Sequence, residues 1–401
     1  MARSHFINSL DVGSGSIKIL AIEKRKGNLE PEFLNLIRVP SAGLRKGTVI
    51  NIDQVSDSIQ SAIEEFQSSY GRKIKPVIVN ISGSHIFSTP SRGVIAVSRA
   101  DQKISQEDIE RALQAAQTFS LPSNKEVLDV IAKEFIIDGE KGIKEPLGMK
   151  GIRLEVEILA LCGFSPYVKN LTNSVLNAGL HIQDIFVSPL ASSKAVLTPK
   201  QKELGVALLD IGAGTTGLAV FEEGDLIQAA IFPIGSGHIT NDIAIGLRCD
   251  IDTAERIKLE YGSCFLRGGR KKEKIRKIGK DEPLVFSLKM LGKIIEARVS
   301  EIFRLTNKEL KKIGRQGKLP AGIVLTGGGA KLPKIKELAR KELKLPCKIG
   351  YPKGIAGLEQ DPSLAVVAGL ALNGLEPEHE YPIFGEKFGT KIKKIFRIFN
   401  P

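Results

Sequence analysis

The sequence predicts an α/β protein of two similar lobes, with a small α+β unit inserted in the first, and three observations carry that prediction. A glycine turn occurs twice, as Asp11-Val12-Gly13-Ser14-Gly15-Ser16 and, 199 positions later, as Asp210-Ile211-Gly212-Ala213-Gly214-Thr215. Each copy leads into a second β-type run, Ile17–Ile22 or Leu218–Phe221, and then into a turn, Lys26-Gly27-Asn28 or Glu223-Gly224-Asp225. One β-hairpin is thus written twice. The 401 residues are too many for one small core and suit roughly two to four domains.

The elements follow in order. Residues 6 to 40 read as strands joined by Gly/Asn turns. Val55, Ile59, Ile63 and Phe66 recur at helical spacing across 53 to 70. Pro76–Ile81 is a short apolar strand that ends at Ser82-Gly83-Ser84 and closes the first part of lobe one, 1 to 83. From 84 to 163 the texture changes. Strand-like runs at Val94–Val97, Phe135–Ile137 and Leu154–Leu161 surround a helix opening at Ser105-Gln106-Glu107-Asp108, a capping start.

Lobe one resumes over 164 to 202 with a helix near 165 to 178, a strand at Ile182–Val187 and a connecting helix over Pro189–Leu197. Lobe two covers 203 to 374. It holds the repeated hairpin, helices around 240 to 261 and 286 to 312, and a strand Ile323–Thr326 running into Gly327-Gly328-Gly329. A helix from Pro333 and an apolar helix Leu364–Leu372 complete it. Residues 375 to 386, with Pro377 and Pro382, read as a linker, and 387 to 400 as a terminal amphipathic helix.

The turns suggest chemistry. Gly13, Gly15, Gly212 and Gly214 let backbone N–H groups approach an anion, because glycine has no Cβ in the way. Ser14, Ser16, Thr215 and Thr216 add hydroxyls. Asp11 and Asp210 can hold Mg²⁺ through water, and Lys18 adds positive charge near the terminal phosphates. Glu255 and Lys258, three apart on a predicted helix, share a face that can reach ribose and adenine; read alone they are more simply a surface ion pair. Gly327-Gly328-Gly329 ends a strand before a helix, where backbone can approach a nucleotide; read alone it is a tight turn.

Several functions are excluded. Gly212 to Gly217 has the G-x-G-x-x-G spacing, but a dinucleotide fingerprint opens a helix, and Leu218–Phe221 is β-type. There is no Walker A sequence. Cys162, Cys249, Cys264 and Cys347 form no C-x-x-C, and five scattered histidines have no metal spacing. No run of about 18 apolar residues and no secretory h-region is present, which favours the cytosol. The net charge of +13 concentrates between Arg267 and Lys280 and again at the C-terminus. No aromatic residue interrupts the first cluster, so a base-stacking nucleic-acid platform is not expected there, and a solvated basic loop is the simpler reading.

The tail is amphipathic. Phe388, Ile392, Ile395, Phe396 and Phe399 share one helical face, with Lys393, Lys394 and Arg397 opposite and Lys391 at the edge. Read alone, it fits either a helix lying in a membrane interface or a basic tail docked on its own protein.

Taken together, these residues resemble the actin-like, DnaK-type two-lobed ATPases. The two hairpins are similar to that superfamily's two phosphate motifs, Pro189–Leu197 and Leu364–Leu372 to its connecting helices, and Gly327–Lys331 to its adenosine motif. Within the superfamily the chain resembles the FtsA family of bacterial cell-division proteins from about residue 6 to 399. Phe135–Gly139, Gly148–Val156, Ala191–Thr198, Glu203–Val206 and Ala254–Lys258 are its specific stretches.

The resemblance implies ATP and Mg²⁺ as cofactors. It adds Gly235, Gly237 and Lys331 to the nucleotide set. It also implies that the small domain at 84 to 163 serves self-assembly into a homopolymer and contacts with later division proteins. The C-terminal peptide of FtsZ would bind near 240 to 320, where the basic segment could meet an acidic partner. The terminal helix would bind anionic lipid at the cytoplasmic face of the inner membrane, at the division site. Three positions depart from the superfamily pattern. Ser188 replaces a carboxylate of DnaK-type chaperones, Gly217 an acid and Ala213 a glycine. The first leaves water activation without an evident base, so ATP binding is expected with weak or no hydrolysis. A small-molecule kinase or a pilus-assembly protein of the same superfamily is the alternative.

Overall fold

The computed structural model describes residues 5–264, the backbone of 275–278, and 284–375. The linker, the tail and most of the basic segment lie outside the described residues.

Lobe one opens with β1 (His5–Val12), β2 (Ser16–Lys24) and β3 (Glu32–Pro40). A small hairpin of β4 (Leu44–Arg45) and β5 (Thr48–Val49) follows, then α1 (Ile52–Tyr70) and β6 (Pro76–Ile81). Asn51 caps α1 through Gln54 N–H, and Gly71 ends it in the left-handed conformation. The insert consists of β7 (Phe87–Ala96), α2 (Gln106–Gln117), β8 (Lys125–Ile137), β9 (Glu140–Ile143) and β10 (Arg153–Phe164). Ser105 and Asp108 form the reciprocal capping box of α2. Lobe one resumes with α3 (Ser165–Asn177), β11 (His181–Val187), α4 (Ser188–Val196) and α5 (Pro199–Leu204).

Lobe two starts with β12 (Val206–Ile211), β13 (Thr216–Glu222) and β14 (Asp225–Phe232), then α6 (Ser236–Leu247) and α7 (Ile251–Tyr261). Between the last two, Arg248 adopts a left-handed conformation that breaks the helical stretch. β15 (Ile275–Ile278) pairs with β16 (Leu284–Ser287). α8 (Leu288–Lys312), β17 (Ile323–Thr326), α9 (Ile335–Leu343), β18 (Cys347–Ile349) and α10 (Ala365–Asn373) complete the described chain. The helix expected from Pro333 begins two residues later, after a 3₁₀ turn over Gly328–Lys331.

The two lobes share one topology. The first sheet runs β11-β6-β1-β2-β3, and the second begins β18-β17-β12-β13-β14. In each, the first three strands are parallel and the last three antiparallel. β12 and most of β13 are buried throughout, which is why their sequences read as unbroken apolar runs instead of alternating ones. The second sheet continues into the insert as β7-β10-β8-β9 through a single residue pair, Ala230 with Phe87.

Of three apolar clusters, one lies within lobe two and one within the insert, while the third fills lobe one and runs on through α10 and one face of β12, β13 and β14. Two helices tie the lobes together. α4 packs on β12 and β13 of lobe two, and α10 packs on β1, β2 and β6 of lobe one. They cross at Gly369, where a Cβ would collide with the Ala191 carbonyl oxygen. No described helix is long and apolar enough to cross a membrane. All four cysteines are free, and burial pushes the Cys264 and Cys347 thiols up to about 12.

Candidate functional site

The tips of the two glycine hairpins meet. A Cβ on Gly15 would lie 2.8 Å from Ala213 Cβ, and one on Gly214 would lie 2.7 Å from Ser14 Oγ. Only glycine allows this approach. Below the tips lies a cavity of about 350 Å³, lined by Asp11 to Ser16, Lys18, Asp210 and Gly212 to Thr215 together with Arg38, Asn80, Ser188, Gly327 and Gly328. Gly47, from the β4–β5 turn, straps the tips: its N–H donates to Ser14 Oγ at 3.0 Å. Ser82 and Thr215 hydroxyls lie 3.4 Å apart across the lobes.

The lobe-one wall is a closed polar network. Lys18 Nζ donates to Asp11 Oδ2 at 2.7 Å. Asn80 donates to Asp11 Oδ1 at 2.9 Å and to Ser188 Oγ at 3.0 Å, while its carbonyl accepts from Val12 N–H at 2.7 Å. Ser188 Oγ in turn donates to the Ile81 carbonyl at 3.1 Å. The lobe-two wall differs, because among the described residues no cation pairs with Asp210. Burial first, and then the Asp11 charge, push the Asp210 carboxyl up to about 7, against the pull of a Ser192 hydrogen bond and Lys18. Gly327, at φ 81°, leaves that carboxylate uncovered; any Cβ there would strike Asp210 Oδ1.

Comparison with known proteins agrees with this architecture. The family model "Cell division protein FtsA" matches residues 207–369, and "SHS2 domain inserted in FTSA" matches 83–162. The cell division protein FtsA of Pseudomonas aeruginosa is 37% identical over 380 residues, 93% of this chain and 90% of that one. Its counterpart from Escherichia coli is 30% identical over 92% of this chain and 90% of its own. The chain belongs to the FtsA family of cell-division proteins. Among solved structures, a PilM-PilN type IV pilus biogenesis complex aligns with a TM-score of 0.66 at 19% identity, covering 92% of this chain and 99% of that one. MreB5 of Spiroplasma citri bound to ADP aligns with a TM-score of 0.52 at 15% identity, covering 92% and 95%. These likenesses show the fold of this FtsA-family chain to be actin-like.

The cavity brings together Asp11, Gly13, Ser14, Gly15, Ser16, Lys18, Asp210, Gly212, Gly214, Thr215, Gly327 and Gly328. Other expected residues stand elsewhere. Gly235 and Gly237 brace the second tip: Gly237 N–H donates to the Ala213 carbonyl at 2.9 Å, and a Cβ on Gly235 would strike the Gly212 carbonyl. Thr216 is buried on Ile234, its hydroxyl 2.8 Å from that carbonyl. Lys258 is only 6% exposed. Its amino group holds Glu255 at 2.6 Å and Thr240 at 2.8 Å, tying α7 to α6, and neither Lys258 nor Glu255 lines the cavity. Gly329 packs behind the cavity on Ile211, and Lys331 is paired with Asp361 at 2.5 Å. The expected tail residues Phe388, Lys391, Ile392, Lys394, Ile395, Phe396, Arg397 and Phe399 lie outside the described residues. Asn80 and Arg38 were not anticipated. A lone amide in the apolar run Pro76–Ile81 was the available signal for the first; nothing local marked the second.

Proposed function

We propose that the cleft binds ATP with Mg²⁺, and that the bound state governs assembly of this FtsA-family chain into a polymer on the cytoplasmic face of the inner membrane. There it would anchor FtsZ through the FtsZ C-terminal peptide and help recruit later division proteins. The observation that carries the reading is the pair of glycine tips meeting over a cavity of about 350 Å³, with one carboxylate from each lobe and only one of them neutralised by lysine.

The donor set fits the group. Glycine N–H groups and the Ser14, Ser16 and Thr215 hydroxyls suit phosphate oxygens, and Asp11 and Asp210 suit a water-bridged divalent cation. Bound Mg²⁺ would supply the positive charge that lets two carboxylates and a polyphosphate share one cleft. The chain's own residues orient the ligand more than they activate water. Among the described residues Asp11 and Asp210 are the only carboxylates lining the cavity, and Ser188 spends its hydroxyl on Ile81 and Asn80. This supports nucleotide binding with little turnover. Asp210→Ala is expected to weaken Mg-ATP binding by about tenfold or more by calorimetry. Unchanged affinity would end the assignment.

A further inference from the structure

We infer that Arg38 is a phosphate-gripping residue of this cleft, recruited when a nucleotide di- or triphosphate enters; the inference rests on the nucleotide reading above. Asp11, Lys18 and Arg38 form one row across three neighbouring strands, since Asp11 pairs with Lys18 and Lys18 with Arg38 in the ladders. Two cations therefore stand directly opposite each other, an arrangement that repels unless each meets an anion.

Lys18 meets Asp11 at 2.7 Å. Among the described residues Arg38 has no ionic partner as close. Asp361 is 3.7 Å away and is held more closely by Lys331 at 2.5 Å and by Ser363 N–H at 2.8 Å. The short bond of Arg38, 2.6 Å, goes to the neutral hydroxyl of Ser363. Of the two cations lining the cavity among the described residues, Arg38 thus holds its anion less closely, and its side chain is 42% exposed.

Its position suits a phosphate. Ser363 follows Pro362, whose carbonyl accepts from Gly327 N–H at 3.0 Å, so Arg38 reaches from lobe one to the glycine turn of lobe two. A planar guanidinium grips phosphate oxygens in pairs, which a serine hydroxyl cannot match. An entering phosphate replaces Ser363 as the partner of Arg38.

The test compares the full chain with Arg38→Ala and Arg38→Lys by calorimetry, using Mg-ATP and Mg-ADP at low and high salt. Arg38→Ala is expected to weaken both nucleotides about tenfold and to flatten the salt dependence of affinity. Arg38→Lys, which keeps the charge without the fork, loses less. Affinity within about twofold of the parent overturns the assignment. So does a loss whose salt dependence equals the parent's, which would make Arg38 a structural latch on Ser363. If Arg38→Ala lacks a cooperative melt, Arg38→Gln keeps a donor for Ser363 without the charge and is expected to show the same loss. A folded parent that binds neither nucleotide overturns the reading of the cleft itself; a parent that binds while Arg38→Ala binds equally overturns Arg38 alone.

Discussion

Gly217 stands opposite Asp210 in the β12–β13 ladder at the position where Lys18 stands opposite Asp11 in β1–β2. The duplicated hairpin has therefore diverged at the one place that sets its charge. In lobe one the lysine neutralises the aspartate within hydrogen-bonding distance. In lobe two the missing side chain makes room for the ring of Pro189 at the start of α4, which a Cβ on Gly217 would approach to 3.1 Å. Close packing of a connecting helix occupies the place that the lysine of the ion pair takes in lobe one, and Asp210 has burial and a neighbouring carboxylate but, among the described residues, no cation of its own.

This asymmetry gives Asp210 a pH signature. Its carboxyl titrates at about 7 in the folded chain, against an ordinary value of 3.8. Between those values the folded chain holds more protons than the unfolded one, so stability falls as pH rises, and the full cost is present above about pH 7. Asp210→Asn is expected to melt higher than the parent at about pH 8, with the gain shrinking toward about pH 4. A gain that did not change with pH would place the effect elsewhere.

The crossing of the connecting helices makes a prediction of opposite sign to helix propensity. In an exposed helix Gly→Ala stabilises by about 1 kcal/mol. At Gly369 the added methyl meets the Ala191 backbone carbonyl, which cannot swing aside as a side chain could. Overpacking of this kind costs about 1–3 kcal/mol and should win. Gly369→Ala is expected to lower the urea midpoint and to separate α4 from α10. A stabilised variant would show that the crossing is slack.

The insert holds its helix start with one buried carboxylate. Asp108 accepts from Ser98 N–H, Ser98 Oγ, Ser105 N–H, Ser105 Oγ and Arg111. Burial alone would raise its carboxyl, but bonds from Ser105, Arg111 and Ser98 outweigh that and hold it well below the usual range. Its contribution is therefore present above the unfolded value and lost as pH falls. Asp108→Asn keeps the shape but turns an acceptor into a donor facing donors. About 1–3 kcal/mol should be lost at neutral pH and less in acid, read from chemical denaturation. Equal losses at both pH values would contradict the role of the charge.

The duplication was legible because it was local. Glycine spacing and apolar runs are contiguous in sequence, so both hairpins, β6, β17 and most helices could be read from pattern alone. The wall of the cleft was not, because it assembles residues far apart in the chain: Asn80 reaches Asp11 across 69 positions, and Arg38 reaches Ser363 across 325. β8 was seen only at its end, since in Lys125 to Glu134 the charged residues Lys125, Glu126, Asp129, Lys133 and Glu134 fall with no period of two and break the apolar run. Glu255 and Lys258 share a helix face as their spacing implied. That face packs on Thr240 of α6, and Lys258 Nζ also reaches the carbonyl of Ser236, a residue that lines the cavity, a matter of tertiary packing that spacing does not encode.

The terminal segment carries the last prediction, argued from its sequence. Five apolar residues, Phe388, Ile392, Ile395, Phe396 and Phe399, oppose Lys393, Lys394 and Arg397 on one helical wheel. Twelve residues give a helix of about 18 Å, too short for a hydrocarbon core of about 30 Å, so it would lie in the interface. Each basic residue near an anionic surface contributes about 1 kcal/mol at moderate salt, on top of the buried apolar face. The full chain should sediment with vesicles rich in anionic lipid, less with neutral ones, and less again at high salt. A chain ending at Gly385 should stay in the supernatant. Phe396→Glu, which breaks the apolar face without shortening the chain, should do the same. Equal sedimentation of all three proteins would remove the tail from the attachment mechanism and move attention to the basic segment between Arg267 and Lys280.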